Sequence, residues 1–193
     1  TVNENTRIMQ GELTGWNWRA RALALVSAQL ADIFPGHGID SDSTVDDLSI
    51  AERQMVEIAI SFAGVKERPK LVILDEPTSS LDAGLAAQLM AYIRRFTAEG
   101  GSVLLISHIL GEILSTCDRI VVMKDGRVVA DRAASGFDTR SLVEAMGSVV
   151  REQGWARRAI EKAGEPVLSM PPRGGHGLAF KAYRGEIIGL AGL

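Results

Sequence analysis

The sequence predicts an α/β fold in which parallel strands are preceded by helices and followed by a hairpin. The apolar run at residues 71–74 leads straight into two carboxylates, as a buried parallel strand does at its carboxyl end. Residues 85–96 have apolar side chains at helical spacing, and a second apolar run follows at residues 101–108 (GSVLLISH). Strand, helix and strand in this order predict a βαβ unit with two parallel, neighbouring strands. Asp125 and Gly126 lie between two further apolar runs, which predicts a hairpin.

Residues 1–47 are predicted to form a helical subdomain. A helix is expected over residues 20–34, and a Pro-Gly pair ends it. The apolar residues at helical spacing in this helix are Leu23, Val26, Leu30 and Ile33. Trp16 and Trp18 come just before the helix, and we expect them to pack against the subdomain's own helices. The alternative is that they are exposed and anchor an interface.

A capped helix is predicted to begin after Ser49. Ser49 and Glu52 form the S-x-x-E pattern of a capping box, in which the serine caps the helix and the glutamate bonds back to it. A helix N-terminus with a serine is also a place where an anion can bind, because N–H groups and the helix dipole face it. An ordinary capped helix without a ligand is the alternative. The apolar side of the helix is expected to contain Ile50, Val56, Ala59, Ile60 and Ala63.

Two adjacent carboxylates, Asp75 and Glu76, follow the first strand. In open α/β sheets, ligands bind beyond the carboxyl ends of the strands. A carboxylate there can hold a magnesium ion on the phosphates of a nucleotide, and its neighbour can orient or deprotonate an attacking water. Such a pair also suits the N-terminus of a following helix, where the dipole favours negative charge. Because the strands are predicted to be parallel, Ser107 and His108 should lie at the same edge of the sheet.

Composition limits the class of protein. Apolar residues make up 46% of the 193 residues, which suffices for a sizeable core. The formal net charge of −3 gives no indication of a nucleic-acid partner. The single cysteine, Cys117, excludes an internal disulfide and is typical of proteins from a reducing cytoplasm. No apolar run reaches the roughly 18 residues of a membrane span.

Segments in a fixed order give the chain a family resemblance. Residues 48–59 (LSIAERQMVEIA) resemble the signature segment of ABC-type ATPases, and residues 71–82 (LVILDEPTSSLD) resemble their Walker B and D-loop segment. Residues 117–129 (CDRIVVMKDGRVV) are similar to the hairpin that follows the switch histidine of the family. His108 lies where that H-loop histidine would be, although a lone histidine after a strand is more often packed or solvated. The resemblance implies a partial P-loop NTPase core.

The resemblance also implies site residues for ATP and Mg²⁺. Asp75 would coordinate the magnesium ion through water, and Glu76 would be the general base toward the attacking water. His108 would contact the γ-phosphate and help to place that water. Asp82, at the end of the D-loop segment, would carry signals across a dimer of ATPase domains.

The signature segment departs from the usual Leu-Ser-Gly-Gly-Gln of the family. Leu48 and Ser49 match, Ile50 and Ala51 replace the two glycines, and Glu52 replaces the glutamine. By resemblance, Ser49 would contact the γ-phosphate of a nucleotide held mainly by an opposing ATPase domain. Ile50, Ala51, Glu52 and Asp82 would also belong to the nucleotide-binding residues. A segment that reads Leu-Ser-x-Ala is similar to those of the sugar-importer branch.

The chain contains no G-x-x-x-x-G-K-[ST] phosphate loop. The resemblance implies an internal piece that begins just after the glutamine-bearing loop of one ATPase domain and ends as a second domain begins. Residues 48–146 would be the C-terminal part of the first core, and residues 147–165 would be a linker. Residues 166–193 would open the second domain, because residues 185–193 (GEIIGLAGL) resemble the strand that leads into a phosphate loop.

The function that the resemblance implies is that of an ATP-binding and ATP-hydrolysing subunit of an ABC importer for a monosaccharide. Its partners would be membrane-spanning permease subunits and a second ATPase domain, in the same chain or in a homodimer. It would be cytoplasmic and peripheral on the inner membrane. One alternative is a soluble ABC-type ATPase of the ribosome-associated or DNA-repair type, although no sustained heptads occur in the short linker. The other is that these residues alone are inactive, because they lack a phosphate loop.

Overall fold

The structure, a computed structural model, describes residues 1–147, 165–166, 168–170 and 180–182. The chain divides into two compact units, Thr1–Ser148 and Val149–Leu193. In the second unit, strand β5 (Leu168–Met170) pairs antiparallel with β6 (Phe180–Ala182). Most of the predicted linker and the segment at residues 185–193 lie outside the described residues.

The first unit begins with three helices, which are followed by a strand–helix–strand segment and then by a hairpin between two further helices. Its N-terminal helices are α1 (Val2–Met9), α2 (Trp18–Ile33) and α3 (Ile50–Phe62), with a 3₁₀ turn at Val45–Asp47. The central part consists of β1 (Leu71–Asp75), α4 (Ala83–Ala98) and β2 (Ser102–Ile106). The rest comprises α5 (Leu110–Thr116), β3 (Arg119–Lys124), β4 (Arg127–Ala133), a 3₁₀ turn at Ala134–Gly136 and α6 (Thr139–Ala145).

The predicted βαβ unit is confirmed. Strand β1 pairs parallel with β2, and the paired residues run from Leu71 with Ser102 to Asp75 with Ile106. Helix α4 connects the strands and ends ahead of Gly100, whose φ of +93° lies in the left-handed region that glycine adopts without strain.

The expectation that β1 is fully buried is wrong. Val72 and Leu74 are buried, whereas Leu71 and Ile73 are 58% and 59% exposed. Among the described residues, α3 and α4 pack on the sheet, and the face that includes Leu71 and Ile73 is uncovered. An apolar run indicates that a strand can be buried on both faces, but each face is buried only where another element of the structure packs against it.

The larger hydrophobic core joins the N-terminal helices to the βαβ unit. The ring of Phe62 on α3 meets Tyr92 and Phe96 on α4 edge-on, with centroids 4.9 Å and 5.0 Å apart. Val26, Leu30 and Ile33 of α2 are buried in this core as predicted, but Leu23 is 37% exposed. The buried residues that α3 contributes are Met55, Val56, Ile58, Ala59, Ile60 and Phe62.

Ile50 does not belong to the apolar side of α3, contrary to the sequence expectation. It is 72% exposed, because it is the first residue of the helix and precedes the buried stretch by more than a turn. The prediction for Trp16 is also wrong, since its side chain is 99% exposed. Trp18 is half-buried, and the guanidinium groups of Arg7 and Arg19 lie 4.4 Å and 4.8 Å from the centre of its ring.

A smaller core holds the predicted hairpin against α5 and α6. The hairpin turns at Asp125 and Gly126, which have φ values of +50° and +73°, as a tight turn of this type requires. The buried residues of this core are Ile120, Val122, Phe137 and Leu142. Within the described residues, no helix is long and apolar enough to cross a membrane.

Candidate functional site

The acidic pair lies at the carboxyl end of β1, as predicted. Asp75 is the last residue of the strand and is exposed. The N–H of Glu76 donates to the carbonyl of Ile106 at 2.8 Å, and Glu76 has a φ of +48°. A glutamate in the left-handed region is strained by about 1–2 kcal/mol, and such residues persist where the surroundings hold them. The buried Pro77 and Thr78 that follow anchor this turn.

His108 contacts Glu76 across the sheet edge. Its Nδ1 lies 2.7 Å from Oε2 of Glu76, so the parallel strands bring the two residues together as the sequence predicts. A carboxylate only accepts hydrogen bonds, so the imidazole Nδ1–H donates in this contact. The side chains of His108 and Glu76 are 72% and 37% exposed, and the pair is therefore open to a ligand or a water.

A carboxylate that sequence reasoning missed connects the same two loops. Glu112 Oε2 accepts hydrogen bonds from Thr78 Oγ1 at 2.9 Å and from Ser107 Oγ at 3.5 Å. The Ser107 oxygen in turn accepts from the N–H of Ile109 at 3.0 Å. In the sequence, only the position of Glu112 four residues after His108 points to a role near the site. Its partner Thr78 lies after the other strand, so the sequence gives no sign of their contact.

The predicted capping box at the start of α3 is confirmed. Ser49 Oγ accepts from the N–H of Glu52 at 3.3 Å, and Glu52 Oε2 accepts from the N–H of Ser49 at 2.8 Å. A hydrogen bond from the Ser49 N–H is the main reason that the pKa of Glu52 lies below its usual range, and the Ser49 hydroxyl lowers this pKa further. Ser49 and Ile50 are exposed, and Ala51 is half-buried.

The start of α3 does not join the acidic pair. No hydrogen bond among the described residues links Ser49 or Glu52 to Asp75, Glu76 or His108. The exposed serine at the start of α3 is therefore not part of the hydrogen-bonded contact between Glu76 and His108.

Asp82 is the N-cap of α4. Its Oδ1 accepts from the N–H of Leu85 at 2.9 Å, and the residue is exposed. A cap of this kind contributes about 1 kcal/mol to stability. The cap accounts for an acidic residue at this position without a ligand.

The donor set fits a magnesium ion that is bound together with phosphates. Among the described residues, no group of three or more His, Cys, Asp or Glu side chains could enclose a metal ion. Mg²⁺ usually keeps several waters and takes one or two carboxylates plus substrate phosphates, rather than a protein cage. Asp75, an exposed carboxylate at the end of a strand, suits that mode of binding.

The chain is similar to ATP-binding proteins of import systems. It is 37% identical over 169 residues to the autoinducer 2 import ATP-binding protein LsrA of Enterobacter sp. (strain 638), which covers 80% of this chain and 34% of that protein. It is 36% identical over 185 residues to the ribose import ATP-binding protein RbsA 2 of Burkholderia ambifaria, with 91% and 36% covered. For the arabinose import ATP-binding protein AraG of Rhizobium meliloti, the identity is 34% over 185 residues, with 91% and 34% covered.

The chain thus spans about a third of the length of these relatives. No family model matches it. Among solved structures, it is similar to the ATP-binding cassette MJ0796 in a dimeric post-hydrolysis state bound to ADP and Pi, with a TM-score of 0.55 and 24% identity. That match covers 71% of this chain and 58% of the cassette.

The fold is that of part of an ABC-type ATPase cassette. The relatives add the family: the chain belongs to the ABC ATP-binding proteins, and the relatives named above are import ATP-binding proteins. The resemblance to ABC-type ATPases found in the sequence is confirmed.

Proposed function

We propose that this chain supplies Asp75, Glu76 and His108 to an ATP-hydrolysing site and that hydrolysis there drives the import of a monosaccharide. The observation that carries the proposal is the 2.7 Å contact between Glu76 Oε2 and His108 Nδ1. It joins two side chains from neighbouring parallel strands at the edge where ligands of α/β sheets bind. The relatives named above, which are import ATP-binding proteins, support the direction of transport and the sugar.

Glu76 acts as the general base. The imidazole of His108 holds Oε2, whereas Oε1 makes no hydrogen bond among the described residues and can accept the proton of an attacking water. A positioned base contributes typically about 10²–10⁴-fold to a rate. His108 Nε2 likewise has no partner among the described residues, and an imidazole protonated on both nitrogens would donate from Nε2 to the γ-phosphate.

Asp75 holds Mg²⁺ through water in this proposal. When bound, the ion neutralises the negative charge that develops on the transferred phosphoryl group. The carboxylate of Asp75 is exposed directly beside the residue that serves as the base, so both act at one edge of the sheet.

Ser49, Ile50, Ala51 and Glu52 serve a second nucleotide site. The exposed serine at the helix start, which makes no described hydrogen bond to Glu76 or His108, supports a role toward an opposing ATPase domain, in the same chain or in a homodimer. Such a domain would also supply the phosphate loop that this chain lacks. Asp82 carries signals across that dimer, and its place at the start of α4 just after the Glu76 turn supports the assignment.

Membrane-spanning permease subunits bind the N-terminal helical part. The fully exposed ring of Trp16, next to the arginine-flanked Trp18, is the kind of side chain that anchors an interface. The protein therefore works at the cytoplasmic face of the inner membrane, and no nucleic-acid partner is proposed. No observation favours the ribosome-associated or DNA-repair alternative.

The test is ATP hydrolysis by the full-length protein together with its permease. Glu76→Gln should lower the turnover by roughly 10²–10⁴-fold. The matched control is Glu144→Gln, which removes the charge of an exposed glutamate on α6 whose ion-pair partner among the described residues is Arg140. Turnover by Glu76→Gln at the wild-type rate would exclude the proposed base.

A further inference from the structure

We propose that Glu112 is a positioning residue that holds the His108 loop against the Glu76 turn; this inference rests on the proposed function. One carboxylate oxygen, Oε2, accepts from Thr78 and from Ser107. Thr78 follows Glu76 closely in the turn after β1, and Ser107 directly precedes His108 after β2. Glu112 thus connects the two loops that carry the proposed base and its imidazole partner.

The contact between Glu76 and His108 needs such support. An exposed contact between two polar side chains contributes at most about 1 kcal/mol, because water competes for both groups and two mobile side chains must be ordered. The His108 side chain is 72% exposed, so its own surroundings do little to fix it. Thr78, by contrast, is only 4% exposed, and its hydroxyl donates to Glu112 at 2.9 Å. Hydrogen bonds from hydroxyls to an ionised carboxylate are among the stronger ones in proteins.

Glu112 does not act as a cap of its own helix. It lies in the first turn of α5, where a carboxylate is favoured by the helix dipole. Its side chain accepts from two hydroxyls outside the helix, however, and from no N–H of α5 among the described contacts. Glu112 therefore links two loops through its side chain. The N–H of Ile109 donates to Ser107 Oγ and so helps to fix the hydroxyl that donates to Glu112.

The experiment measures kcat and KM for ATP in the full-length protein, in the wild-type and His108→Ala backgrounds. Glu112→Ala should lower kcat by roughly tenfold to a hundredfold, as expected when reacting groups shift by about 1 Å, while KM changes less than about twofold. In the His108→Ala background the same substitution should lower kcat by less than about twofold, because the residue that it positions is gone. Glu112→Gln should restore most of the loss, since its carbonyl oxygen still accepts from both hydroxyls.

The matched control is Glu144→Ala, which removes an exposed glutamate from the neighbouring helix α6 and should leave kcat unchanged. If Glu112→Ala does not fold, Thr78→Val and Ser107→Ala take its place, because each removes one hydrogen-bond donor to Glu112. Their effects on kcat are again compared in the wild-type and His108→Ala backgrounds. Equal losses in both backgrounds, or a kcat within twofold of wild type, would overturn the inference. A wild-type protein without Glu76-dependent hydrolysis would instead overturn the proposed function.

Discussion

Ser49 allows a structural role to be separated from a ligand-binding role, because both bonds of its capping box are defined. Its Oγ accepts from Glu52 N–H at 3.3 Å, and its own N–H donates to Glu52 Oε2 at 2.8 Å. Ser49→Ala removes the side-chain cap, which should lower the free energy of unfolding by about 1 kcal/mol. Ser49→Asn and Ser49→Asp keep a capping oxygen, so their unfolding free energies should stay within about 0.5 kcal/mol of wild type.

The same variants should rank differently in ATP hydrolysis if this end of α3 faces a phosphate. Two unit charges of like sign at about 4 Å repel by about 1 kcal/mol in water and about 4 kcal/mol near a protein surface. We therefore expect Ser49→Asp to lower kcat/KM by roughly fivefold to a thousandfold. Ser49→Asn, which adds no charge, should lower it less than Ser49→Asp does.

Stability is measured by urea unfolding of the 193-residue chain, and hydrolysis is measured with the full-length protein. A role in capping alone predicts that activity follows stability, so that Ser49→Asp is active and Ser49→Ala is the impaired variant. A role toward phosphate predicts the reverse order for these two variants. Ser49→Asp with wild-type kcat/KM would refute the assignment of Ser49 to a nucleotide site.

Further predictions concern the core, acid sensitivity and the isolated chain. Phe62→Ala should cost about 3–5 kcal/mol in urea unfolding, because it empties a site that packs edge-on against Tyr92 and Phe96. The pKa of Glu52 is lower in the folded state than its unfolded value of 4.5, so ionised Glu52 stabilises the fold above pH 4.5. This stabilisation is lost as the pH falls through the folded-state pKa, and Glu52→Gln should remove this part of the pH dependence of the unfolding free energy. The 193 residues alone should hydrolyse ATP only at the background rate, because they contain no phosphate loop.

Each of these predictions has a control or a contrary outcome. Ile50→Ala, on the same helix as Phe62 but exposed, should change the unfolding free energy by about 0.5 kcal/mol or less. A Phe62→Ala cost as small as that would contradict the packing described for α3 and α4. An unfolding free energy with the same acid dependence in Glu52→Gln and wild type would contradict the capping box. Turnover by the 193-residue chain that Glu76→Gln abolishes would show that no external phosphate loop is needed.

Local patterns predicted the elements that position the site. The S-x-x-E pattern sets the start of α3, and the Asp-Gly turn sets the hairpin, because each depends on bonds between near neighbours in sequence. The parallel pairing of β1 and β2 follows from the βαβ order, and it brings Glu76 and His108 into contact. These features follow from contacts between near neighbours and from the order of the elements along the chain, and both can be read from the sequence.

Burial and contacts between loops were harder to predict. Ile50 matches the apolar period of α3, yet the core begins only further along the helix, so its exposure depends on where the neighbouring helices lie. The exposure of Leu71 and Ile73 depends on which elements cover the sheet. Glu112 was missed because its partner Thr78 lies 34 residues away in sequence, and no local pattern indicates that contact.

The most direct test of the central claim is a double-mutant cycle between Glu76 and His108 in single-turnover ATP hydrolysis by the full-length protein. The two side chains touch at 2.7 Å and are proposed to act as one unit. We expect Glu76→Gln and His108→Ala each to slow hydrolysis by at least about a hundredfold, and the double variant to be no slower than Glu76→Gln alone. Losses that multiply in the double variant, or single variants that hydrolyse ATP at the wild-type rate, would contradict the account.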